Sequence, residues 1–384
     1  MWRSIRGFAS EIEDKPMSVL TPSDPLHDAG GPPVSVDEQS LEQKEVAGLS
    51  QSQIVRRRFL RHKGAMFALI LLGVIVLLAA TSIGWGPIPG WWKFSHTELV
   101  APNPDQSPTM SLRPTWLGGA GFNFGDHPFG LDNERGKDIF ALTMKGVQTT
   151  LTVILVLGLL STTLGVLVGA LSGYFGGVTD SILMRFTDMI ITIPVILIAA
   201  VAGFALGARG MWSLSLVLGL FLWTGLGRLV RAEFLALRER EFVDAARVAG
   251  ASSKRIIFKH ILPNTVGTIV VSTTLLMGAG ILTEAALGFL GFGIQAPDVS
   301  LGTLVNDYDG AYSSRPWLFL WPGIFIVAIV LCLQFVGDGL RDAFDPRQKR
   351  IPKRKDLEQE SIRGEVDTIN APRRAGLGFG GGPG

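Results

Sequence analysis

The chain has one cysteine in 384 residues, Cys332, so it can hold no disulfide framework and has no Cys/His cluster at zinc-ligand spacing. Cys332 lies in an apolar run and reads as a small packing residue. Charge is scarce as well: Asp, Glu, Lys and Arg make up 18% of the residues, and a net charge of +2 points to neither a nucleic acid nor an acidic partner. No G-x-x-x-x-G-K-[ST] loop, H-E-x-x-H pair or nucleophile elbow occurs, which leaves the chain without visible catalytic machinery or a nucleotide site of its own. A single G-x-G-x-x-G match, at Gly376, Gly378 and Gly381, has no strand before it and no helix after it and is set aside. The N-terminus also lacks a short apolar core beside a cleavage site; the first hydrophobic run begins at Ala65, which argues against a cleaved secretory signal.

Apolar residues are abundant, at 47% of the chain. Six windows without a charged residue, 65–92, 147–179, 189–208, 211–227, 261–283 and 316–337, meet or approach the roughly 20 apolar residues that a membrane-crossing helix needs. Pro87 and Pro89 must end the first span. The expected spans are therefore about 65–84, 149–173, 186–207, 211–230, 264–290 and 317–337, in an all-α integral membrane fold.

Basic residues set the expected orientation. Arg56, Arg57, Arg58, Arg61 and Lys63 precede the first span, eight more Lys and Arg lie in 228–260, and seven lie in 341–355. The other side has five in the long first loop, then Arg209 and Arg315. Both termini are thus expected in the cytoplasm, with Trp85, Trp91, Trp92, Trp212, Trp317 and Trp321 at the outer headgroup level. Residues 1–55, with nine acidic and four basic residues, and 351–384, which ends in small residues, read as disordered cytoplasmic tails around a transmembrane domain at 56–350. The outer loop 85–146 carries Pro102, Pro104, Pro108 and Pro114; it reads as a lid, a docking surface or a passive insertion.

Gly165, Gly169, Gly173 and Gly177 recur every four residues, a spacing that lets two helix backbones approach closely, either as plain packing or as a contact that shifts during work. Glu284 falls inside the fifth span and Asp188 near the cytoplasmic end of the third, where a charge costs roughly 3 kcal/mol at mid-bilayer and needs a partner or water. Either carboxylate can sit on a translocation path or a subunit interface, or make a structural hydrogen bond; Arg185, three residues before Asp188, is a local partner for it.

The loop 231–263 is the most informative. Glu241 to Ala249 are good helix formers, Gly250 can take the left-handed conformation that ends a helix, Ser252 or Ser253 can cap a second short helix, and Pro263 stands at the entry to span five. Such a compact basic protrusion can dock a soluble partner or rest on anionic lipid.

The segment resembles the coupling motif of binding-protein-dependent importer permeases, E-A-A, three residues, Gly, nine residues, I-x-L-P. Asp244, Ala245, Ala246, Gly250, Leu262 and Pro263 take its positions, with Asp244 for the usual Glu and His260 for the usual Ile. Over about residues 54–350 the resemblance narrows to the peptide/nickel subfamily of ABC importer permeases. It rests on His127-Pro128-Phe129-Gly130-Leu131-Asp132 with Gly136-Lys137-Asp138, on Arg185 to Asp188 with Ile193-Pro194, and on the segments 173–177, 284–293 and 337–346.

The resemblance implies a type I importer permease whose Glu241, Asp244, Ala245, Ala246, Gly250, His260, Leu262 and Pro263 couple to an ATPase. It also implies a homologous permease as heterodimer partner, two cytoplasmic ATPase subunits or one fused ATPase that hold ATP and Mg, an extracytoplasmic solute-binding lipoprotein, and the bacterial inner membrane as location. The implied solute is a peptide, with nickel, another metal chelate or a glutathione-like compound as alternatives. An ion-coupled secondary carrier is the competing class; such carriers often show internal repeats, and none is visible between the two halves.

Overall fold

The computed structural model describes residues 51–100, 107–111, 121, 123–132, 136–205 and 210–344. The two expected tails are outside this set apart from 51–55, as are Pro102, Pro104, Pro114, Arg209 and the glycines at 376–381.

The described residues are helical, joined by turns and a few isolated bridges. A basic helix α1 (Gln51–Arg61) leads into α2 (Lys63–Ser82). His62 sits between them, its Nδ1 accepting from the Ala65 amide at 3.0 Å while Nε2 lies 3.4 Å from Asp342. It therefore caps α2 and ties it to the end of the last helix. Beyond α2, Gly84 at φ +81° turns the chain, and Pro87 and Pro89 follow.

Helix α3 (Ile139–Phe175) starts ten residues before the expected 149, because its first turns are buried by the chain itself. Ile139, Phe140, Leu142 and Met144 are enclosed, and the one charge among them, Lys145, is only half-buried. A charge-free window marks what lipid can cover, not where a helix begins.

The expected third span is two helices. α4 (Gly177–Ile191) and α5 (Val195–Ala205) meet at a 71° bend across Thr192, Ile193 and Pro194, where proline can neither donate to the helix ladder nor let the preceding residue stay helical. Helix α6 (Met211–Arg238) continues eight residues past the expected 230. After the loop come α8 (Leu262–Phe289), a short α9 (Leu301–Asp307) and α10 (Pro316–Phe344), with α7 (Glu241–Val248) inside the loop. Counting the bent pair as one, up to six helical units among the described residues are long and apolar enough to cross a membrane.

Three of the recurrent glycines serve packing. A Cβ on Gly169 would lie 2.5 Å from the Gly227 carbonyl oxygen, one on Gly173 2.7 Å from that of Arg231, and one on Gly165 3.1 Å from Leu226, so α3 and α6 run backbone to backbone. Gly177 instead shares the reversal after α3 with Gly176, both at positive φ. The bundle has a basic end, with α1, α7 and the C-terminal end of α6, and an aromatic end, with Trp91, Trp92, Trp317, Trp321 and α9.

Candidate functional site

At the basic end, α7 stands on an apolar foot. Val243, Ile256, Ile257 and Ile261 are buried against Val230 and Phe234 of α6, Ile269 of α8 and Ala170 of α3. The turn after α7 is a Schellman motif: the Gly250 amide donates to Arg247 O (2.9 Å), the Ala251 amide donates to Ala246 O (3.0 Å), and Gly250 takes φ +78°. Ser252 caps the next turn by accepting from the Arg255 amide.

The expected separate second helix is absent. Ser253–Arg255 runs through a wider turn, Ile256–Ile261, straight into α8, and the Leu262 amide donates to Ile257 O five residues back. The wide turn accommodates Pro263, whose ring would clash with the carbonyl four residues earlier in a regular helix. Asn264 donates its side-chain amide to His260 O at 2.6 Å.

Glu241, Asp244, Ala245, Gly250 and Pro263 are exposed, while Ala246, His260 and Leu262 are half-buried. Asp244 pairs with Arg247 at 2.8 Å. Beside them three apolar side chains point outward: Val248 is 90% exposed, Phe258 59% and Phe242 41%. A knob with apolar tips on a rigid buried base suits protein docking, since an exposed apolar cluster loses water when a partner covers it.

The two intramembrane carboxylates part company. Asp188 does not take Arg185 as its partner; it meets Arg228 of α6 at 2.5 Å. With the bidentate pair of Arg231 and Asp180 (2.5 and 2.6 Å), it holds α4 against α6. Glu284 is fully enclosed by its own chain between α3, α8 and α9, so its side chain forms no part of the surface that a path or a subunit interface would use. Its Oε2 accepts from the Thr150 hydroxyl at 3.3 Å, and Thr150 Oγ1 in turn accepts from the Leu301 amide at 3.4 Å. The geometry is that of the structural hydrogen bond.

The aromatic end holds a constellation built on His127 and Asp138. His127 Nδ1 lies 2.8 Å from Asp138 Oδ2, and Asp138 Oδ1 accepts from the Ala141 amide (2.7 Å) and the Trp92 indole (3.2 Å). Asp138 thereby caps α3, and the segment around His127 is pinned beneath it. Phe129 stacks on Trp321 with ring centroids 3.9 Å apart. An Asp directly before a long apolar run was the available signal for the cap. Gln148 donates to the Ala79 and Gly84 carbonyls at 2.7 and 2.8 Å and fastens the far end of α2 to α3. This part of the loop 85–146 is a packed collar.

The chain is similar to known proteins. The model of a family described as the binding-protein-dependent transport system inner membrane component matches residues 165–350, and that of the N-terminal TM domain of oligopeptide transport permease C matches 50–108. The oligopeptide transport system permease protein OppC of Mycobacterium tuberculosis is 37% identical over 303 residues, 79% of this chain and 97% of its own length. That of Haemophilus influenzae is 34% identical over 313 residues, covering 80% and 93%. A putative peptide permease protein of Brucella ovis is 38% identical over 292 residues, covering 76% and 89%. Among solved structures, inward-facing MetNI methionine ABC transporter is similar at 22% identity and TM-score 0.45, over 53% of this chain and 96% of the other.

Proposed function

This chain belongs to the family of binding-protein-dependent transport system inner membrane components, as a permease of the oligopeptide ABC importers, and from that premise we propose that its basic end faces the cytoplasm and receives a separate ATPase on α7. In this reading it is a type I importer permease whose described residues are helical and form up to six spans. The observation that carries the docking reading is the knob of Val248, Phe258 and Phe242 on its buried foot. The positions Glu241, Asp244, Ala245, Ala246, Gly250, His260, Leu262 and Pro263 all belong to this knob or its root, and a motor that closes on ATP would move α6 and α8 through it.

The complex in this reading contains a homologous permease, two ATPases or one fused ATPase that hold ATP and Mg, and an extracytoplasmic binding lipoprotein that delivers a peptide. The exposed apolar stripe Val178, Ile182, Phe186 and Met189 along α4 offers the homologous permease a contact face. Selectivity resides mainly in the binding lipoprotein.

The test is co-purification followed by uptake of a peptide panel in proteoliposomes. The intact chain is expected to bring down ATPase subunits. Val248→Asp and Gly250→Asp should reach the membrane in normal amount yet lose the ATPases and about tenfold or more of uptake, an interface cost near 1.4 kcal/mol. Normal ATPase recovery and uptake by both variants would refute the docking role.

A further inference from the structure

We propose that Glu284 is the positioning residue that makes α9 move together with α8, so that the knob at the basic end and the short helix at the aromatic end act as one lever; the proposal rests on the docking reading above.

The lever arm is visible in the backbone. Ser253–Phe289 is one unbroken helical rod of 37 residues, roughly 55 Å long at 1.5 Å per residue. One end is the root of the knob, buried through Ile256, Ile257 and Ile261. The other end meets α9 with no space between backbones: a Cβ on Gly288 would lie 2.7 Å from Gly302 C, and one on Gly302 2.6 Å from Ala285 Cα. Asn306 adds a bond from its side-chain amide to Phe289 O at 2.5 Å.

Close packing alone lets two surfaces slide, whereas a directional bond fixes their register. The Asn306 bond supplies such a direction at the outer end of the contact, and Glu284 supplies it one turn further in. Its carboxylate lies one turn inside the contact, takes the Thr150 hydroxyl, and through Thr150 reaches the Leu301 amide at the start of α9. Three elements, α3, α8 and α9, thus meet at one buried carboxyl. The hydroxyl of Ser300, which caps α9, also lies against this carboxyl. Burying a carboxyl costs stability that a purely apolar contact would not, so packing alone does not account for one here. A tie that holds α9 in register while the rod tilts does account for it.

The experiment uses the reconstituted importer with this chain, its partner permease, ATPases and binding protein. In a Cys332→Ala background, Gly310→Cys places a thiol just beyond α9, where a Cβ meets open space. Its labelling rate is measured without nucleotide and with ATP and vanadate. With Glu284 in place the rate should change several-fold between the two states. Glu284→Ala should abolish that change and leave ATP hydrolysis running with little uptake, while Glu284→Gln, which keeps an acceptor for Thr150, should restore most of it. Thr150→Val retains side-chain volume and should at least halve the change; it decides the matter if Glu284→Ala fails to assemble. A nucleotide-dependent change that survives both substitutions would overturn the lever alone. No change with Glu284 present in a complex that retains its ATPases and takes up peptide would overturn the lever alone, whereas loss of the docking reading is read separately from ATPase recovery by Val248→Asp and Gly250→Asp.

Discussion

Asp138 is the last residue before a helix of 37 residues, and no part of it reaches solvent. Its carboxylate accepts from a backbone amide and an indole and lies against His127, so it fixes both where α3 begins and where the preceding segment rests. Asp138→Ala should cost about 2–3 kcal/mol, the sum of a lost cap and a charge-assisted bond; Asp138→Asn should cost less because the amide oxygen can still cap. Thermal unfolding followed by tryptophan fluorescence in detergent checks the order. The left-handed Gly250 was legible, since it depends on neighbours in sequence, whereas the cap at Asp138 went unread because its helix was expected to begin at 149. The partner of Asp188 was not: Arg228 is 40 positions away and meets it only after α4 and α6 pack. His96, outside the spans, has its pKa pulled below the ordinary 6.5, chiefly by burial and then by Lys145 and Lys137, with Asp298 opposing. Unfolded chains therefore bind the proton more readily than folded ones, so this site contributes most above pH 6.5 and less as pH falls through the lowered value. The protection of amides around His96, taken relative to their intrinsic exchange rates, should fall as pH drops below 6.5, and His96→Gln should flatten that dependence.

At the scale of elements, hydropathy identified the apolar stretches but misjudged where helices start and stop. The first ten residues of α3 are covered by protein, the third span is broken at Pro194, and the rod Ser253–Phe289 passes through Pro263 by widening one turn. In each case the deciding contact lies outside the window being read. The glycine spacing was a better guide, because a small residue every fourth position has one geometric use between helices. Gly169 sits where any side chain meets backbone: its Cβ would be 2.5 Å from Gly227 O and 3.0 Å from Arg231 N. Neither atom can move without shifting α6, so Gly169→Val should cost about 3 kcal/mol or more, beyond the usual overpacking range. Membrane abundance and protease resistance should both fall. Gly225 meets nothing within 4 Å, and Gly225→Ala should leave both measures unchanged.

For the molecule as a whole, the asymmetry between its two ends carries the functional argument. The knob can meet a cytoplasmic motor only if the basic end is inside, and the collar around His127 and Asp138 can meet a delivered peptide only if the aromatic end is outside. Arg56, Arg57, Arg58, Arg61 and Lys63 beside α2, with Arg238, Arg240, Arg247, Lys254, Arg255 and Lys259 around α7, stand against Lys93, Lys137, Lys145 and Arg315 toward the other end. Retention of basic residues on the cytoplasmic side during insertion makes that bias an orientation signal. Ser253 and Ser314 are exposed near opposite ends, one at the root of the knob and the other just before α10. In intact cells lacking other accessible thiols, a membrane-impermeant maleimide should label Ser314→Cys at once and Ser253→Cys only after the membrane is opened. The reverse pattern would leave the knob facing away from every source of ATP, and no arrangement of partners could then let a motor drive this permease through α7.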